Sequence, residues 1–219
     1  MSDHRDRILR SLDGLVRPAF ANALGDELAA LAATLPPTVA VAGPRIGVVA
    51  DTHCVASDGA DLPSSVIDAF RDCDAIVHCG DLTSTAVLDR LAVVAPVLAV
   101  RSSGDPPADQ RRLFDGRLLV RWASSLIGVI ADLPHGVDPA DVFGITVDLV
   151  CSGTTHVPSV VRSGTTILVN PGSPTIPLSG AGPTVAVIDL GQSSQPTVHM
   201  IHLTHPEPGG THDHHRTDC

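Results

Sequence analysis

Six short apolar runs in this 219-residue chain each lead straight into a polar cluster of Asp, His, Gly, Asn or Ser. They occupy 45–50, 75–79, 96–100, 126–131, 148–151 and 165–169. Runs of four to six residues rich in Val, Ile and Leu are too short for buried helices and read as buried strands. Helical patterns at 64–71 and 83–92 separate the first three runs. Strand, helix, strand, helix, strand in that order requires parallel pairing through crossover helices. Further runs at 118–122, 184–190 and 197–203 have little helix between them. A doubly wound half followed by a β-rich half predicts an α/β fold. It would be a four-layer α-β-β-α sandwich of two mixed sheets with outer helices.

Regions outside this body differ in composition. Residues 1–44 read as a helical N-terminal extension, with stripes at Ile8, Leu12, Leu15 and at Leu24, Leu28, Leu31, Leu35. Pro36-Pro37 ends the second helix, and Ala42-Gly43-Pro44 links it to the domain at 45–203. The stripes would pack on the body or on a second copy in a homo-oligomer. Residues 204–219, rich in Pro, Gly, His and Asp, read as a disordered His-rich tail. Its His205, His212, His214 and His215 would keep it solvated or bind stray metal.

Charge narrows the partners. The net charge is −10, every basic residue is Arg, and aromatics make up only 2%. Few cations to neutralise phosphates and few rings to stack on bases argue against general nucleic-acid binding. A small phosphate ester held by metal ions stays compatible, because the ions supply the positive charge. No apolar window reaches membrane-spanning length, and five unpaired-looking cysteines fit reduced thiols in a cytoplasm.

The chemistry lies just past the strand ends, where open α/β sheets gather ligand groups. Asp51-Thr52-His53 follows the first run, Gly80-Asp81 the second, and Arg101-Ser102-Ser103-Gly104-Asp105 the third. His135-Gly136, Gly153-Thr154-Thr155-His156 and Asn170-Pro171-Gly172-Ser173-Pro174 follow the other three. Carboxylates and imidazoles together suit divalent ions of Mn, Fe, Co or Zn type. Residues two apart in extended chain share a side, so Asp51 and His53 can face one ion. Taken singly these residues are ordinary: Asp51 as a turn cap, His53 and His78 as polar strand residues, Gly80-Asp81 as a turn.

Their succession is not ordinary. DTH, HCGD, SSGD, HG, GTTH and NPGSP, in that order from Arg45 to Leu190, resembles the small single-domain branch of the calcineurin-like metallophosphoesterases. That branch holds phosphodiesterases and a retromer scaffold subunit. The resemblance implies two adjacent divalent ions, bridged by one Asp, and hydrolysis of a phosphate ester by metal-activated hydroxide. By position, Asp51, His53 and His156 resemble ligands of the first ion, and Asp81 resembles the bridge. His135 and Ser103 fall at second-ion positions. Asp81, His135 and Asp105 are the residues expected to serve catalysis, with Asp105 either replacing a lost ligand or ordering its loop. Four positions depart from the pattern. Ser103 stands for Asn, Thr154 for the first His of a GHTH, Cys54 for Gly, and Leu178 for Arg. One ion is therefore expected to bind well and the second weakly or not at all. The implied function is a metal-dependent phosphodiesterase; the alternative is a catalytically weak or inactive scaffold on the same fold.

Overall fold

Apolar layers cover both faces of the central runs, which is why near-continuous Val, Ile and Leu sequences hold there as strands. The computed structural model describes residues 34–109, 111–178, 180–189 and 196–204. The expected helices within residues 1–33 and the tail from 205 onward lie outside them. The described elements are β1 Thr38–Val41, β2 Arg45–Val49, α1 Ser64–Ala69, β3 Ala75–His78, α2 Ala86–Leu91, β4 Val97–Arg101 and β5 Leu113–Asp115. They continue with β6 Arg117–Trp122, β7 Ser125–Ile130, α3 Pro139–Phe143, β8 Leu149–Cys151, β9 Ser159–Ser163, β10 Thr166–Asn170, β11 Thr184–Asp189 and β12 Thr197–His202.

Two six-stranded sheets result, ordered β12-β11-β2-β3-β4-β5 and β1-β6-β7-β8-β10-β9. In the first, β2 to β5 are parallel, while β11 returns antiparallel beside β2. In the second, β7, β8 and β10 run parallel, flanked by antiparallel β6 and β9. The sheets pack through Ile46, Val48, Val77 and Val100 on one side and Leu118, Val120, Trp122 and Ile127 on the other. Alternate residues of the first sheet, Val49, Ile76 and Ala99, face outward onto a cluster with Val66, Phe70, Val87 and Leu91 from α1 and α2. Phe143 of α3 meets Leu119 and Val150 behind the second sheet. This is the four-layer α/β sandwich that the sequence predicted.

Four elements differ from the sequence reading. β1 lies inside the stretch expected to be a helical extension, pairing parallel with β6 in the register Thr38↔Leu119. Alternating β-branched residues explain it, since Val39 and Val41 pack against the inter-sheet core. β5 is only three residues long. Every residue of β9 is exposed, so no burial periodicity marks it. α3 is a five-residue helix whose Asp138 cap accepts from the Ala140 N–H at 2.9 Å, and Gly144 closes it at φ 71°. Among the described residues no helix is long and apolar enough to cross a membrane, and Cys54, Cys73, Cys79 and Cys151 are buried free thiols.

Gly47 lets the Phe70 ring lie directly on the first sheet: a Cβ there would sit 2.7 Å from Cδ1 of the ring. Gly47→Ala is therefore expected to cost about 1–3 kcal/mol through overpacking. Combining it with Phe70→Leu should cost less than the sum of the two single changes. Thermal unfolding of the three variants measures this, and strict additivity would show that the contact does not limit packing.

Candidate metal centre

The loops after β2, β3 and β8 reach one rim because parallel strands point their C-terminal ends the same way. Their backbone is held in an uncommon conformation. Among the described residues seven non-glycines have positive φ, and six of them crowd this rim: Asp51, His53, Asp81, Thr83, Thr154 and His156. Such conformations cost of order 1–3 kcal/mol each and gather where function demands a fixed geometry. Gly80, at φ 89°, adds a turn that a side chain would block, since its Cβ would meet Ser102 Oγ at 2.6 Å.

His53, Asp81 and His156 each present one ligand atom, all within 4.8 Å of one another. The two Nε2 atoms of His53 and His156 stand 3.2 Å apart. Two nitrogens bound tetrahedrally at ordinary Zn–N length are separated by about 3.3 Å, so this spacing fits ligands of a common ion. His156 Nδ1 lies 2.7 Å from the Ile176 carbonyl. A carbonyl only accepts, so Nδ1 carries the proton and Nε2 keeps its lone pair for a metal.

Asp51 sits beneath this trio, fully buried. Its Oδ1 accepts from the Thr154 N–H at 2.8 Å and its Oδ2 from the His156 N–H at 3.3 Å. Burial pushes its pKa up to about 6, against the pull of the Thr154 N–H and the His156 charge, while Asp81 adds to the rise. Gly153 permits the close approach, because a Cβ there would meet Asp51 Oδ1 at 2.8 Å. Asp105 has both oxygens on backbone N–H groups: Oδ2 accepts from Asp81 and Ser102, Oδ1 from Thr83. In that position it braces the loops rather than standing among the three clustered ligands.

The second-ion positions separate. Ser103 is exposed and lines a cavity of about 500 Å³ with Asp81, Ser102, Thr154, Arg101 and Arg117. Thr154 Oγ1 donates to the Ala131 carbonyl at 3.1 Å. His135 is not brought to the His53–Asp81–His156 cluster. It stands exposed on the loop from β7 to α3 and lines a cavity of about 610 Å³ whose wall also includes Gly153, Thr155 and Asn170 of the rim. Cys54, one of the four departures from the family pattern, is buried in the helix-covered core. Burial and the nearby Asp61 carboxylate push its thiol up to about 12, so it remains protonated.

Several supporting residues were not legible as such. Ser173 Oγ donates to the Asp51 carbonyl at 2.7 Å, and Thr175 Oγ1 donates to the Thr52 carbonyl at 2.8 Å. Asn170 Nδ2 donates to the Gly153 carbonyl and to Thr155 Oγ1. His78 is wholly buried, 3.0 Å through Nε2 from Thr52 Oγ1, and burial lowers its pKa to about 4. The sequence signals were the polar turn at 170–174 and His78 as a polar strand residue.

A family profile, the calcineurin-like phosphoesterase superfamily domain, matches residues 45–193. The chain belongs to that superfamily. A "Probable metallophosphoesterase" of Methanothermobacter thermautotrophicus is 36% identical over 141 residues, 60% of this chain and 78% of that protein. One from Methanocaldococcus jannaschii is 33% identical over 146 residues, 60% of this chain and 69% of its own length. Among solved structures, an archaeal phosphodiesterase superposes with a TM-score of 0.57 at 20% identity, covering 72% of this chain and 99% of that one. Chaetomium thermophilum Vps29 also gives 0.57 at 20% identity, covering 75% and 100%. At those identities the two structures speak for the fold alone. The family is metal-dependent, and the donor set at His53, Asp81 and His156 suits a divalent ion.

Two outcomes check this geometry. In calorimetric titration with Mn²⁺, Asp81→Ala should abolish binding, whereas Ser103→Ala should leave it nearly unchanged. The second concerns pH in chelator-treated protein. Below about pH 4 Asp51 is protonated in both folded and unfolded chains; up to about pH 6 only the unfolded chain ionises it. Its contribution to metal-free stability therefore falls as pH rises from about 4 to about 6. Thermal unfolding across that window should show the slope, Asp51→Asn should remove it, and Mn²⁺, which favours the carboxylate, should oppose it.

Proposed function

We propose that this chain is a metal-dependent phosphoesterase acting on a small phosphate ester, by branch a phosphodiesterase, with one firmly held divalent ion. The observation that carries the reading is the strained rim, where His53, Asp81 and His156 converge with a defined tautomer at His156. A bound ion there supplies charge to phosphoryl oxygens and an acidified water. The chain's own residues do the rest. Asp51 and Asp105 pin the ligand loops through five backbone N–H groups, so the ligands need not reorganise as charge moves. The cavity beside Asp81, walled also by Arg101, Arg117 and Asp132, would give the phosphate a place next to the ion. The second ion is weak or absent on this reading, because hydroxyls replace an amide at Ser103 and an imidazole at Thr154, and His135 stands apart.

Those same features favour a second reading, a catalytically weak member used as a binding or scaffold protein. Vps29 is a structural neighbour of this chain.

One pair of substitutions separates the readings. Ser103→Asn with Thr154→His puts an amide and an imidazole at the two positions. Thr154 has φ 70°, a region that histidine already occupies at His53 and His156. Metal content should rise toward two ions per chain, and hydrolysis of a bis-aryl phosphodiester should increase by orders of magnitude, non-additively. Two bound ions without a gain in turnover would favour the scaffold reading. Two ions and fast turnover in the unmodified chain would show that its second site is not weakened.

A further inference from the structure

The rim around the metal-ligating histidines carries an apolar lip. Four of the nine large apolar side chains exposed among the described residues lie here: Val55 at 76%, Val157 at 41%, Ile176 at 48% and Leu178 at 70%. Each is tied to a ligand histidine. Val157 directly follows His156, and Val55 lies two residues beyond His53. Ile176 offers its carbonyl to His156 Nδ1 at 2.7 Å, and the Leu178 N–H donates to the His156 carbonyl at 3.4 Å. Single exposed apolar residues need no explanation, but a cluster at a binding centre marks what the centre receives.

Strand order makes the rim two-sided. The loops after β2, β8 and β10 carry the lip on one flank of Asp81. On the other flank, the ends of β4 and β7 and the start of β6 bring Arg101, Ala131 and Arg117 around the cavity beside Asp81. Arg101 is held by the Pro106 and Asp105 carbonyls and the Asp115 carboxylate, Arg117 by the Val142 carbonyl, and Asp132 joins Asp81 in the wall, so a bound ion would carry the charge that meets a phosphate there. The lip's four side chains are Val, Val, Ile and Leu, and the exposed hydroxyl beside them, Thr155 Oγ1, already accepts from the Val157 N–H and from Asn170 Nδ2.

From this we infer the substrate class: phosphate esters of apolar alcohols, aryl or alkyl, whose ester group lies on Val157, Ile176 and Leu178 while the phosphate occupies the metal side. The inference rests on the phosphoesterase reading. Leu178 and Val157 are specificity-determining residues in it, and the Ile176 backbone contributes separately by orienting His156.

The test uses binding rather than turnover. Phenylphosphonate and methylphosphonate are titrated calorimetrically into the full chain loaded with Mn²⁺. Burying most of one ring face on the lip should make phenylphosphonate bind about tenfold more tightly. Leu178→Ser combined with Val157→Ser should bring that ratio toward one. Val93→Ser, an exposed apolar residue of the α2–β4 connection, should leave the ratio as it was. Equal affinities in the unmodified chain, or an unchanged ratio in the Leu178/Val157 variant, would overturn the apolar-ester inference. Failure of both phosphonates to bind the metal-loaded chain would overturn the phosphoesterase reading beneath it.

Discussion

The buried carboxylate of Asp51 joins the two halves of the molecule. It stands at the end of β2 in one sheet and accepts N–H groups from Thr154 and His156 beyond β8 in the other. Ser173, beyond β10, closes the arrangement by donating to the Asp51 carbonyl. A carboxylate with this much burial is costly unless its oxygens are satisfied. Each bond that satisfies them also fixes a loop bearing a metal ligand. The inter-sheet packing and the metal centre therefore support each other: losing the packing would leave Asp51 unpaired, and losing Asp51 would release His156.

The same logic explains the concentration of unfavourable backbone at this rim. Residues at positive φ persist only where their surroundings over-determine them. Here Gly80 and Gly153 allow close approach, Asp105 gathers three N–H groups, and Thr52 is held between His78 and Thr175. The ligand loops are rigid before any ion arrives, so little ordering is left to oppose ion binding. The rim is also asymmetric. One flank holds imidazoles beside exposed apolar side chains, and the other holds Ser103 and Thr154 around a cavity walled also by Arg101, Arg117, Asp81 and Asp132.

Much of this was legible along the chain. All nine strands read from apolar runs were found, with ends shifted by a residue or so, because both-face burial leaves a signal in composition alone. The order of strands and helices implied parallel pairing, and the residues after each strand named His53, Asp81 and His156. Elements without a buried stripe were missed: β9 is exposed throughout, and β5 and α3 are too short to show a period. β1 was hidden by its neighbours, a four-residue run after a proline pair that read as the end of a helical extension.

The sequence by itself determined the two-sheet sandwich and the ligand types at one rim, because hydrophobic period and residue chemistry are local properties. Only the tertiary structure decided which ligands meet. It brought Nε2 of His53 and His156 to 3.2 Å, set the buried Asp51 carboxylate on the Thr154 and His156 N–H groups, and left His135 outside that cluster. It also turned Ser173 and Thr175, which look like ordinary turn residues, into clamps on Asp51 and Thr52, more than a hundred residues away in the chain. Hydrogen bonds across such separations depend on how the sheets stack and how each loop leaves its strand. No local pattern encodes that, so spacing could nominate the ligands but could not assemble them.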